Sequence, residues 1–207
     1  MANLKLLQAI PHHGPDARYC AAGRITATGE EPMEQRDRDG REAGDARVRA
    51  ARAEDVPAVV ELVRELATYE RAADQVRLTS ELLGGALFGP EPRAFAHVAT
   101  VDGEVAGFAL WFLSFSTWIG RHGIFLEDLY VRPEHRGRGL GRALLAELAR
   151  VCVERGYRRL EWVVLDWNQP SIDFYLAQGA EPQDQWTTFR LSGASLERLA
   201  SVGEPTR

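Results

Sequence analysis

At 207 residues, with 45% hydrophobic side chains, the chain can build one domain with a substantial core and have chain to spare. Its net charge of −5 comes from interspersed acids and bases, which argues against nucleic acid or an anionic membrane as the main partner. Two cysteines, Cys20 and Cys152, show neither metal nor redox spacing, so a reducing, cytoplasmic setting is the simpler inference.

The first 45 residues read as a disordered extension ahead of a domain spanning 46–207. Met1–Ile10 is too short and too weakly apolar for a signal peptide or a membrane span. Glycine, proline and charge dominate the stretch after Ile10, and Met33 reads as an alternative start. His12-His13 has no third ligand nearby, so no metal is expected.

From Arg47 the pattern becomes regular. A short strand at 47–51 precedes a helix at Ala53–Tyr69, whose apolar residues Val56, Val59, Val60, Leu62, Val63 and Leu66 recur at helical spacing. Thr79 is a good N-cap for a second helix that ends near Gly89-Pro90. Strands at Ala94–Val101 and Val105–Phe115 flank Asp102-Gly103, a hairpin signal. A strand at Gly123–Val131 leads into a helix at Gly139–Arg155, closed by Gly156 and carrying Cys152 on its apolar face. A strand at Leu160–Leu165, a short helix from Pro170 to Gly179, a strand at Thr187–Leu191 and a helical tail at Ala194–Ala200 complete the chain. This order predicts an α/β (α+β) fold with a mixed, mostly antiparallel sheet.

The most informative stretch runs from Glu127 to Arg142. A strand stops at Pro133, and glycines at 137, 139 and 141 lead into the next helix. Backbone N–H groups can converge there at a helix N-terminus, with Arg136, Arg138 and Arg142 adding charge, which suits a phosphate or pyrophosphate. The glycine spacing is wrong for a dinucleotide fold, and no Gly-Lys-Ser/Thr follows to make a P-loop.

Val131-Arg-Pro-Glu-His-Arg136-Gly-Arg-Gly-Leu-Gly141 resembles the acetyl-CoA pyrophosphate loop of the GNAT superfamily of N-acetyltransferases. Phe125–Val131, Trp118-Ile-Gly120, Tyr69-Glu70 with Gln75-Val76, and Trp167–Tyr175 resemble the diamine (spermidine/spermine) acetyltransferase branch. The likeness covers about 47–199. It implies the GNAT fold, acetyl-CoA as co-substrate without a metal, direct transfer to an amine, and a homodimer in which two subunits form the acceptor groove.

Amine acetylation needs a base, because an alkylamine is protonated at neutral pH, and an acid for the departing thiolate. By the resemblance, Glu127 is the base, acting through water and helping to bind the amine, and Tyr175 is the acid. The resemblance also places the cofactor on 136–142, comprising Arg136, Gly137, Arg138, Gly139, Leu140, Gly141 and Arg142. Main-chain groups of Leu129, Tyr130 and Val131, together with Asn168 and Ser171, complete that set. Tyr69, Glu70, Asp74, Trp118, Glu127 and Asp128 would form the acceptor side, where acidic and aromatic groups suit a cation. From strand alternation, Glu127 and Asp128 are expected on opposite faces. Arg71-Ala72-Ala73 stands where the branch often carries further acidic character and Arg77 adds a positive charge, which weakens the case for a long polyamine and leaves a diamine, an amino-acid side chain or a lysine-like (thialysine-type) amine. A protein lysine acetyltransferase and a quiet acyl-CoA sensor are the alternative readings.

Overall fold

The computed structural model describes residues 48–202; the expected N-terminal extension lies outside the described residues. Five strands form one sheet in the order β1-β2-β3-β4-β5. They are β1 (Val48–Ala50), β2 (Phe95–Val101), β3 (Glu104–Ser116), β4 (Arg121–Val131) and β5 (Leu160–Glu161). The first three pairings are antiparallel and β4–β5 is parallel, as the predicted fold class requires.

Helices α1 (Val56–Tyr69) and α2 (Ser80–Phe88) cover one face of the sheet. Val56, Val59, Val60 and Leu62 of α1 and Leu83 and Leu87 of α2 pack with Ala96, Val98, Phe108 and Tyr130 in one buried cluster. The Thr79 hydroxyl accepts from the Leu82 amide at 3.2 Å, the N-cap that its position predicts. At the β2–β3 hairpin Asp102 and Gly103 both have positive φ, 53° and 86°, the backbone of a tight two-residue turn.

Helix α3 (Leu140–Glu154) lies on the opposite face and buries Leu140, Leu144, Leu145, Leu148, Val151 and Cys152. It ends where predicted: Gly156 has φ 68°, and the Tyr157 amide reaches back to the Cys152 carbonyl at 2.8 Å. On this face Trp111 Nε1 donates to His97 Nδ1 at 3.1 Å, while His97 Nε2 lies 3.7 Å from Glu147 of α3.

The C-terminal third departs from expectation. The predicted strand at Leu160–Leu165 pairs only at Leu160 and Glu161. An apolar run signals burial, and here Trp162 and Val164 are half-buried without a ladder. Helix α4 (Gln169–Ala177) and helix α5 (Gly193–Ala200) form as expected. The predicted strand at Thr187–Leu191 joins no sheet, and every residue from Glu181 to Val202 is exposed.

Candidate active site

Two features of β4 create the site. The first is where its pairing with β5 stops. The parallel ladder joins Ile124 to Leu160 and Phe125 to Glu161 and goes no further, although β4 continues to Val131. From Leu126 onward the β5 side of β4 therefore has no strand against it among the described residues. Main-chain groups on this side have no ladder partner, the splay that an extended ligand arm needs, although the Val131 carbonyl accepts from Arg136 Nε at 2.9 Å. Leu129, Tyr130 and Val131 line this stretch.

The second feature is a bulge. Leu110 pairs with Asp128 but the next residue, Trp111, pairs with Leu126, so Glu127 is an extra residue in β4. Adjacent residues of β3 face opposite ways, so Leu126 and Asp128 do too, although they are two apart. Leu126 thus shares the α3 face with Trp111, and Asp128 shares the α1 face with Leu110. The strict alternation that would send Glu127 and Asp128 to opposite faces does not hold. The two carboxylates repel one another, and Glu127 itself is exposed.

Asp128 is the more perturbed of the two. Burial, with added repulsion from Glu127 and Glu70, pushes its carboxyl up to about 6. Burial also raises the Glu70 carboxyl at the end of α1. Tyr175 on α4 is pushed up to about 12, by burial first and then by the negative charges of Asp128 and Glu70. Its ring packs on Trp162 with centroids 4.7 Å apart. Glu70, Glu127, Asp128 and Tyr175 are thereby one electrostatic cluster at the mouth of the cleft.

The rim is tied across the molecule. Tyr69 Oη donates to Asn168 Oδ1 at 2.9 Å, joining the end of α1 to the start of α4. The same oxygen accepts from the Ser171 amide at 3.4 Å, capping α4, so Asn168 is both helix start and tether. Arg71 places its guanidinium 5.2 Å from the Trp167 ring. That contact gives the unexpected positive charge at 71 a partner on the rim.

Beyond Val131, Pro133–His135 forms a single 3₁₀ turn and the exposed loop 136–139 follows. Gly137 and Gly139 have φ 75° and 80°, which a side chain would strain. The Ala143 amide, bonded to the Gly139 carbonyl at 2.9 Å, belongs to the first closed turn of α3. The amides of 140–142 precede it and are open to an anion at the positive end of the helix. Gly141 lies within that first turn, and a Cβ placed there would lie 3.7 Å from the Phe174 ring of α4. Arg136 turns inward instead: its Nε donates to the Val131 carbonyl at 2.9 Å, and its guanidinium lies 5.5 Å from both the Tyr69 and the Tyr130 rings.

The sequence profile of the Acetyltransferase (GNAT) family matches residues 56–180, the span that carries this whole arrangement. The chain belongs to the GNAT acetyltransferase family. It is 38% identical over 164 residues to the thialysine N-epsilon-acetyltransferase of Bos taurus, covering 74% of this chain and 96% of the relative. An L-ornithine N5-acetyltransferase of Arabidopsis thaliana is 27% identical over 199 residues, covering 74% and 87%. Among solved structures, an integron cassette protein from the mobile metagenome of V. cholerae superposes with a TM-score of 0.63 at 23% identity, covering 74% and 96%.

The acetyltransferase brings most of the expected acceptor-side residues together and separates two. Tyr69, Glu70, Glu127 and Asp128 meet at the cleft. Asp74 is exposed on the 3₁₀ turn after α1. Trp118 is 75% exposed at the tip of the β3–β4 hairpin, roughly 24 Å of strand away from Asp128. Among the described residues nothing carries it to the cluster. Trp162 is the residue that sequence reasoning missed. It stands directly after the last ladder position, a place that becomes visible only once the end of the β4–β5 pairing is known.

Proposed function

We propose that this enzyme moves an acetyl group from acetyl-CoA directly to the primary amine of a small diamine or a lysine-like amino acid. The observation that carries the reading is the early end of the β4–β5 ladder. It leaves the main chain around Leu129 without a strand partner, beside the acidic cluster and on the stretch that leads into α3. An extended pantetheine arm fits the open strand edge, and its pyrophosphate fits the amides of 140–142 with Arg138 and Arg142, while Arg136 stays turned onto Val131. A contact from Asn168 would use its amide NH₂, because its oxygen is engaged by Tyr69 and Ser171. When bound, acetyl-CoA supplies an activated thioester.

The chain's own groups account for the proton movements. Glu127, at the exposed bulge, removes a proton from the ammonium through water. Glu70 and Asp128 hold the cation by charge. Tyr175, held protonated well above neutral pH, gives its proton to the departing sulfur. In net terms an N–C bond forms, the C–S bond breaks, and free thiol and amide result. The bovine and Arabidopsis relatives are named for amino acids with a terminal side-chain amine, which supports thialysine-like and ornithine-like acceptors. We further propose a cytoplasmic homodimer. A second copy is the available way to bring a Trp118 ring to each cleft.

The test is thiol release from acetyl-CoA against thialysine, ornithine, lysine, spermidine, putrescine and a lysine peptide. Turnover confined to the small amines is expected, with kcat falling about 10²-fold or more in Glu127→Gln and Tyr175→Phe. Preference for the peptide would move the enzyme to protein acetylation. Unchanged rates in both variants would remove these two residues from the chemistry.

A further inference from the structure

We propose that Arg71 holds the carboxylate of the acceptor, so that the preferred substrate is an amino acid with a terminal side-chain amine and not a simple diamine; this rests on the small-amine reading above and names its substrate class. The first observation is backbone strain. Helix α1 closes in a Schellman arrangement: the Arg71 amide donates to the Thr68 carbonyl at 3.1 Å, and the Ala72 amide to the Ala67 carbonyl at 2.8 Å. Arg71 itself occupies the left-handed position of that motif, with φ 61°. Glycine is the usual occupant, because a Cβ is disfavoured there. Among the described residues Asp102 is the one other non-glycine with positive φ, and a short polar side chain in a hairpin turn tolerates it. A long, charged side chain gains no such local compensation. Strain of this kind clusters at active sites and ligand clamps.

The second observation is where the side chain lies and what it lacks. Its guanidinium is 5.2 Å from the Trp167 ring, and that ring is 5.9 Å from Tyr69. Trp167 directly precedes Asn168, the tether of the cleft rim. Stacking on an aromatic face leaves the N–H edges of a guanidinium able to donate. Arg49, Arg132 and Arg159 each pair with an acid of this chain. Among the described residues no carboxylate lies within ion-pair distance of Arg71.

The neighbouring Glu70 belongs to the acidic cluster, since its charge is felt at both Asp128 and Tyr175. The rim therefore sets an unpaired cation beside a group of anions. A diamine, cationic at both ends, meets attraction at one end and repulsion at the other. A lysine-like zwitterion offers its side-chain ammonium to the acids and its carboxylate to the guanidinium, which can take it through two parallel N–H bonds.

The experiment measures thiol release from acetyl-CoA with the full-length chain. Ornithine is compared with putrescine and lysine with cadaverine, pairs that differ only by the carboxylate, and lysine with lysinamide, where that charge is removed. The wild type should favour each amino acid over its diamine by at least about 10-fold in kcat/KM, the size of one charge-assisted hydrogen bond. Arg71→Gly, which relieves the backbone, should lower that ratio at least about 10-fold, chiefly through the KM of the amino acid, and Arg71→Lys should keep part of it. The wild type should also lose about 10-fold on lysinamide, whereas Arg71→Gly should treat lysine and lysinamide alike; a merely structural arginine would not produce that coupling. Equal wild-type kcat/KM for lysine and lysinamide, or an unchanged ratio in Arg71→Gly, would overturn the assignment and leave small-amine acetylation standing. A raised KM for acetyl-CoA with the ratio unmoved would give Arg71 to a cofactor phosphate instead. No turnover with any of these amines would remove the small-amine reading, and this inference with it.

Discussion

Asp128 shows how a residue's surroundings, and not its type, set its chemistry. Glu127 beside it is exposed, whereas Asp128 is withdrawn behind the bulge and its carboxyl rises to about 6. A raised carboxyl is anionic only above that value. The apparent affinity for a cationic amine should therefore strengthen as pH rises through about 6, and Asp128→Asn should abolish this limb of the kcat/KM profile. The same shift carries a cost in stability. An acid whose folded pKa is raised stabilises the fold at low pH, and the benefit disappears as pH rises through about 6. At pH 8 Asp128→Asn should therefore melt higher than the wild type, by up to about 3 kcal/mol of stability, while losing activity. An equal or lower melting point would show that another group compensates the buried carboxylate. The sequence places Asp128 in the right strand but cannot rank it against Glu127. Burial and repulsion are properties of the assembled cleft.

At the level of elements, helices and tight turns were legible because their signals are local. The apolar spacing of α1 and α3, the Thr79 cap, the Asp102-Gly103 turn and the Gly156 stop each depend on a few neighbouring residues. What escaped was pairing. Leu160–Leu165 and Thr187–Leu191 have strand composition, yet composition does not say which edge a segment meets or where a ladder ends. The bulge at Glu127 was hidden for the same reason, since it is a mismatch between two strands and neither alone displays it. Close approach of β3 and β4 supports the site from behind. A Cβ at Gly107 would lie 2.7 Å from the Tyr130 carbonyl and 2.9 Å from Val131 Cγ2. Gly107→Ala must push β4 away at the residues that line the cleft. We expect a loss of about 1–3 kcal/mol in denaturant unfolding and a larger rise in KM for acetyl-CoA than for the amine. Equal changes in both constants would mean that the strand had not moved.

Across the whole molecule, the buried His97 and the half-buried Asp128, on opposite faces of the sheet, act against each other as pH changes. His97 accepts from Trp111 through Nδ1, so it is neutral with its proton on Nε2, and burial lowers its pKa to about 4. Between about 4 and 6.5 the unfolded chain binds the extra proton, so stability falls on acidification. Asp128 has the opposite slope between 3.8 and about 6, where the folded state holds the proton. The two slopes offset one another, so the wild type should lose less stability from pH 6 to 4 than His97 alone would dictate. Asp128→Asn should uncover a steep acid loss over that range, measurable by urea unfolding at each pH, and His97→Gln should remove it. A further consequence comes from the single hydrogen bond between Tyr69 and Asn168, which spans 99 positions. The end of α1 is made early in translation, while its tether Asn168 and, on α4, Tyr175 are made late. A product cut short after α3 would keep most of the buried core and four of the five strands, and would contain no working centre. Such a fragment would lack Asn168 and Tyr175 alike, so only the final stretch of synthesis completes the cluster.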